Sequence, residues 1–109
     1  MDIETIMKAL GDPTRFKLFQ QLLERKHCVR SLSKAMGISE PAVSQHMKVL
    51  REAGLVCGEK YGYHMHYLPK QETMDILAEA FADMSERSRR LDRTCGVCNC
   101  EFRETERNK

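Results

Sequence analysis

The sequence predicts a mainly α (α+β) fold, and three observations carry that expectation. Apolar residues recur at helical spacing in four short segments with capping residues between them, and the third and fourth are joined by a tight glycine turn. The stretch after them, "LVCGEKYGYHMHYLP", alternates and turns at Tyr61-Gly62 as a β-hairpin does. A longer final helix then carries a heptad-like apolar stripe. Together these describe a winged helix-turn-helix with a β-hairpin wing, bracketed by N- and C-terminal helices suited to dimerisation.

Each element follows from its residues. Ile3, Ile6, Met7 and Leu10 form one face of a short first helix. "GDP" breaks it, and Asp12 with Pro13 supplies an N-cap and a proline at the first helical position. The second helix is expected to bury Phe16, Phe19, Leu22 and Leu23 and to run out near Lys26. A third, "VRSLSKAM", stops at Gly37, whose lack of a Cβ suits a left-handed C-terminal position. Ser39 can cap a fourth helix that opens with Glu40 and Pro41 and ends at Gly54. Within it Val43, Met47 and Leu50 face inward, while Ser44, Gln45, Lys48 and Arg51 face elsewhere. The last helix spans roughly 70–92, where Met74, Leu77, Phe81, Met84 and Leu91 make a seam broken only by Ser88. Such a stripe needs a partner, and the first helix or the same helix of a second protomer would serve.

Bulk properties bound the function. At 109 residues the chain is one small domain with a limited core, so a second protomer is a natural way to hide more apolar surface. Hydrophobic residues at 41% and charged residues at 31% suit a folded domain rather than a disordered one. No apolar run approaches the roughly 20 residues needed to cross a bilayer, and "MDIETIMKAL" lacks a signal-peptide core. A cytoplasmic protein with no membrane partner is expected, and its five cysteines then read as thiols, metal ligands or redox sensors. Net charge is +2, with ten Lys/Arg against seven Asp/Glu in residues 1–68 and eight against nine in 69–109, a weak basic tilt of the front part. No Gly-rich phosphate loop and no Ser/His/Asp or Cys/His set in a recognisable context appears, so an enzyme is not expected.

Beyond these patterns, "LGDPTRFKLFQQLLE", "VRSLSKAMGISEPAVSQHMKVLREAGLV" and "EKYGYHMHYLP" resemble the ArsR/SmtB family of metal-responsive bacterial repressors. The resemblance covers roughly residues 5–92 and is most specific from Ser44 to Val56. It implies a homodimer whose interface is built from the first and last helices, here Ile3, Ile6, Leu10, Met74, Leu77, Phe81 and Met84. It also implies a repressor that leaves double-stranded operator DNA when a metal or other inducer binds.

The residues support the DNA half independently. Ser44, Gln45 and His46 occupy the first two turns of the recognition helix, where side chains reach base edges. Gln45 can pair bidentately with adenine, while Lys48 and Arg51 suit phosphates. Ser39 and Ala42 at the start of that helix complete its contact set, and Lys60, Tyr63 and His64 at the wing tip suit backbone or minor groove. An alternative is a helix-turn-helix that packs only on protein.

Inducer sites of the family are partly missing. Where many relatives carry a "CVC" triplet, this chain has Cys28, Val29 and Arg30, so one thiol is absent. The zinc-type site on the last helix needs histidines, and "DILAEAFADMSERSRRLDR" has none. That leaves "CGVCNC" in a Cys-rich charged tail, residues 95–109, which follows a DNA-binding and dimerisation domain at 1–94. Cys95, Cys98 and Cys100 are close enough in sequence to converge on one thiophilic centre: arsenic(III) or antimony(III) in a three-coordinate pyramid, or cadmium, lead or zinc with a further ligand. Cys28, His27 or Cys57 of either protomer, or a water, are the candidates for that ligand. Cys28, near a helix N-terminus that favours thiolate, is either that ligand, an oxidation target or an inert capped thiol. A Cys95–Cys98 redox switch, an iron–sulfur cluster, a structural zinc or an inert tail are the alternatives.

Overall fold

The computed structural model describes residues 2–94. Along them run α1 (Ile3–Leu10), α2 (Pro13–Glu24), α3 (Val29–Met36), α4 (Glu40–Glu52), β1 (Val56–Tyr61), β2 (His64–Pro69) and α5 (Gln71–Arg89). This is the expected mainly helical winged helix-turn-helix with a two-stranded antiparallel wing.

Side-chain caps set most helix starts. The Asp2 carboxylate accepts from the Glu4 amide and the Thr5 hydroxyl, at 3.3 and 2.8 Å. Asp12 accepts from the Arg15 amide at 3.0 Å, with Pro13 opening α2. Ser39 Oγ accepts from the Ala42 amide at 3.2 Å. Each such cap satisfies a first-turn amide that has no partner within the helix. Between α3 and α4 the chain needs a left-handed residue, and Gly37 supplies it at φ 69°. Ser33 Oγ donates to the Ile38 carbonyl and pins the turn from inside α3.

One core joins these elements. Ile6 and Ala9 of α1, Leu18, Phe19 and Leu22 of α2, Leu32 of α3 and Val43, Met47 and Leu50 of α4 are buried together. Leu55, Val56 and Tyr67 extend that core under the wing, and Leu77 attaches α5 to it. At about 1.5–3 kcal/mol for each fully buried large side chain, this cluster holds the helix-turn-helix rigid. The start of α5 is tied to the end of α4: Thr73 Oγ1 donates to the Gly54 carbonyl at 2.6 Å and Lys70 N to the Leu55 carbonyl at 2.9 Å.

Several expectations need correcting. Phe16 and Leu23 are exposed, not buried, because the inward stripe of α2 is Leu18, Phe19 and Leu22. At 100° per residue, Phe16 and Leu23 lie roughly 100° round the helix from that stripe. The second helix ends at Glu24 rather than near Lys26, and the last at Arg89, so Leu91 falls beyond it. Strand pairing runs to Tyr61↔His64, which places the hairpin turn at Gly62-Tyr63. Two residues expected at a dimer seam, Ile6 and Leu77, are buried within the protomer. Both lie on the inner edge of their helices, where the apolar stripe first meets its own core.

Among the described residues, the outer part of each stripe is left uncovered or only partly covered. Met7 of α1 and Ile76, Phe81 and Met84 of α5 are all exposed, and Ile3, Leu10 and Met74 are half-buried. Every residue from Phe81 to Thr94 is exposed. Among the described residues no helix is long and apolar enough to cross a membrane.

Candidate nucleic-acid interface

The recognition helix α4 is amphipathic in a way that leaves a polar row outside. With Val43, Met47 and Leu50 fully in the core, Ser44, Gln45, Lys48 and Arg51 are forced onto the exposed surface. Both hydrogen-bonding side chains lie in the first half of the helix and both cations in the second. Hydrogen-bonding groups near the N-terminus and flanking cations are the arrangement with which such a helix enters a major groove. Ser39 is exposed, but its hydroxyl is used as the helix cap, and Ala42 beside it is half-buried.

His46 is placed differently from its neighbours. It is half-buried on the flank of α4 that faces α2, with Nδ1 3.3 Å from an Arg15 guanidinium nitrogen. Arg15 in turn donates through Nε to the Ala9 carbonyl in α1 at 2.6 Å. The backbone amide of Arg15 bonds Asp12 and holds that carboxyl below its usual range. Nothing local in the sequence marks this contact, which spans 31 residues.

The wing stands beside α4. Lys60 and His64 are exposed near its tip, and Tyr63 in the turn is fully exposed. An open groove runs between the wing tip and the helix-turn-helix, bordered by Tyr63, His64 and Met65 on one side and by Cys28, Arg30 and Glu40 on the other. Wing and helix starts thus border one concave surface.

Two contacts fix the wing to the helical body. His27 pairs with Tyr67 through both main-chain bonds, at 3.2 and 2.7 Å, adding a one-residue third strand to the hairpin. Its ring is buried and hydrogen-bonded to Ser31 Oγ; burial, followed by the charge of Arg25, pushes its pKa down. On the outer face Lys26 Nζ donates to Tyr61 Oη at 2.7 Å and to Glu59 Oε1 at 3.0 Å, and Tyr61 donates to Glu59 at 3.0 Å. The Tyr61 hydroxyl and then Glu59 push the Lys26 pKa up, while Lys26 pulls that of Glu59 down. His66 stacks on Tyr61 with ring centres 4.9 Å apart.

Of the expected thiol ligands, Cys95, Cys98 and Cys100 lie outside the described residues. Cys28 is half-buried and serves as the cap of α3, its Sγ accepting from the Ser31 amide at 3.4 Å. Cys57 is half-buried on β1. Among the described residues no three His, Cys, Asp or Glu side chains are grouped to hold a metal.

Comparison with known proteins agrees with this geometry. Residues 12–57 match the model of the bacterial regulatory protein arsR family. The HTH-type transcriptional repressor SmtB of Mycobacterium tuberculosis is 37% identical over 82 residues, which cover 74% of this chain and 61% of that repressor. The putative arsenical resistance operon repressor ArsR2 of Halobacterium salinarum is 35% identical over 81 residues, covering 72% and 67% of the two chains. An ArsR-like transcriptional regulator from Rhodococcus sp. RHA1 superposes with a TM-score of 0.72 over 80% of this chain and 82% of its own, at 23% identity. A homodimeric winged helix-turn-helix domain from Mycobacterium bovis superposes with a TM-score of 0.63 over 83% and 86%, at 19% identity. At such identities the two structures speak for the fold alone.

Proposed function

The chain belongs to the ArsR family of bacterial regulatory proteins, and from that premise we propose a homodimeric transcriptional repressor released from operator DNA by a thiophilic metal or metalloid. The observation that carries the DNA-binding part is the exposed row Ser44, Gln45, Lys48 and Arg51 on a helix whose other face is locked in the core. Gln45 and Ser44 read base edges, Lys48 and Arg51 neutralise phosphates, and Lys60, Tyr63 and His64 brace the duplex from the wing. His46 and the start of α4 at Ser39 and Ala42 flank that contact. The family is one of transcriptional regulators, which accords with the absence of any catalytic set expected from the sequence.

Dimerisation completes the reading. The uncovered apolar stripe formed by Ile3, Met7 and Leu10 on α1 and Met74, Phe81 and Met84 on α5 pairs with its copy, and the two α4 helices then meet half-sites about one helical turn apart. Both helices that carry the stripe are bonded to α4 or its C-terminal turn, α1 through Arg15 and α5 through Thr73. A change in how the protomers pair therefore moves the recognition helices.

For the inducer, the donor set favours arsenite or antimonite. Three thiols within six residues supply a soft three-coordinate site without a histidine, and relatives include a putative repressor of an arsenical resistance operon. Cys95, Cys98 and Cys100 would hold the ion, with Cys28 as the further sulfur; cadmium, lead or zinc would need that fourth ligand. A coupling of about 1–3 kcal/mol between the two sites lowers operator occupancy severalfold to about a hundredfold.

The test is fluorescence anisotropy of the reduced protein on its own upstream DNA, titrated anaerobically with arsenite, antimonite, cadmium, lead and zinc and then with peroxide. Release by one thiophilic ion that is lost when Cys95, Cys98 and Cys100 are replaced by serine, with DNA affinity retained, supports the proposal. Unaltered release in that variant overturns the tail as sensor. Release by peroxide alone replaces the metal with a thiol redox switch.

A further inference from the structure

Resting on the DNA-binding function proposed above, we infer that Arg15 is a positioning residue that fixes His46 as a hydrogen-bond donor toward DNA. A guanidinium has donors only. The His46 nitrogen that faces it at 3.3 Å therefore carries a lone pair, and a neutral imidazole with a bare Nδ1 keeps its proton on Nε2. Nε2 is the ring atom farther from the backbone, on a side chain beside the exposed row of α4.

Arg15 is itself held in place. Its Nε bonds the Ala9 carbonyl at 2.6 Å and its amide bonds Asp12 at 3.0 Å, so one end of the fork is spent on α1 and the other on α4. The side chain borders a hollow lined by Thr5, Lys8, Ala9, Val49 and Glu52, where α1 and α4 approach. Asp12, Lys8 and Glu52 are the charged groups that share these surroundings. A donor-only fork anchored on a helix carbonyl leaves the histidine ring no choice of tautomer.

This sets what His46 recognises. An Nε2–H donor matches a phosphate oxygen, the N7 of either purine, guanine O6 or thymine O4, and opposes the amino donors of adenine and cytosine. Without Arg15 the ring exchanges tautomers and loses that distinction. Because Arg15 is also anchored on α1, His46 reports the placement of a dimerisation helix to the DNA surface.

The experiment uses the full reduced chain. Long-range 1H–15N NMR of wild type should show His46 with a bare Nδ1 and a protonated Nε2, and R15M should show both tautomers. Competition binding of wild type, R15M, H46A and R15M/H46A is then measured on half-site duplexes with each base changed, and with single methylphosphonates. R15M and H46A should lose discrimination at the same base or the same phosphate by about tenfold, and the double variant should be no worse than H46A. A shared base position assigns the acceptor to a base edge, and a shared methylphosphonate position to the backbone; either supports the proposal. A wild-type ring protonated on Nδ1, or additive losses in the double variant, overturns it, and the wild-type spectrum decides even if R15M fails to fold. Failure of the wild type to bind any duplex would instead remove the DNA-binding function on which the proposal stands.

Discussion

Phe81→Ala separates the surface of α5 proposed to meet a second protomer from the part that packs on its own core. Phe81 is 50% exposed, and the described residues that follow it, to Thr94, are exposed as well. A phenylalanine side chain offers roughly 200 Å², so pairing of the stripe stands to cover about 100 Å² of it in each protomer. At about 25 cal/mol per Å² that is about 2.5 kcal/mol. Two-fold symmetry counts the residue twice, giving about 5 kcal/mol for the dimer. Truncation to alanine keeps part of this area, so the expected loss is about 3–5 kcal/mol, or two to nearly four orders of magnitude in dimer Kd at about 1.4 kcal/mol per tenfold. Sedimentation equilibrium over a wide concentration range reads that constant. Thermal unfolding under conditions where both proteins are monomeric should differ little, because Phe81 lies outside the protomer's core cluster. A folded F81A protein with a dimer Kd within tenfold of wild type would refute the pairing of this face.

Other consequences are as direct. Lys48→Ala with Arg51→Ala should weaken binding to all duplexes alike and reduce the slope of log K against log salt by about two, one for each phosphate contact, read by anisotropy from 50 to about 300 mM salt. Leu32→Ala empties a fully buried position on α3 and should cost about 2–5 kcal/mol in urea unfolding. Stability should also depend on His27. Burial holds its ring neutral in the fold, so the unfolded chain binds the extra proton. The contribution is complete above the unfolded value of about 6.5 and is lost as pH falls from there toward the lowered folded value. Urea midpoints at pH 7.5 and 5.0 should therefore lie closer together in H27N than in wild type.

The helical frame was legible because its determinants are local. Asp12-Pro13, Gly37 and Ser39 each act within four residues of where they stand, and the observed cap bonds of Asp12 and Ser39 are the expected ones. The polar row of α4 was equally plain, since a helix that buries Val43, Met47 and Leu50 has one outer face. Apolar residues on helix flanks were harder to place. Phe16 and Leu23 count as inward in any binary pattern, yet only tertiary packing decides which of two adjacent stripes of α2 meets the core. Ile6 and Leu77 show the converse: a seam repeat does not distinguish the residues that end in the protomer core from those left outside.

Polar contacts between distant segments left no trace in the sequence at all. Arg15 looks like one more solvated helix cation until α4 folds against it and presents His46. His27 carries no strand periodicity because a single residue suffices to pair with Tyr67. Lys26, Glu59 and Tyr61 come together only after β1 is laid beside the end of α2. These contacts tie the fourth helix and the wing to the helical body, so the exposed placement of the polar row was legible and the contacts that hold it were not.

Hydroxyl-radical footprinting of the reduced, metal-free protein on its own upstream DNA tests the central claim most directly. The account predicts two protected patches about one helical turn apart, both abolished when Gln45 and Arg51 are replaced by alanine in a protein that still dimerises. Uniform or absent protection at saturating protein, or a footprint indifferent to those two residues, would contradict a dimer that reads DNA through α4.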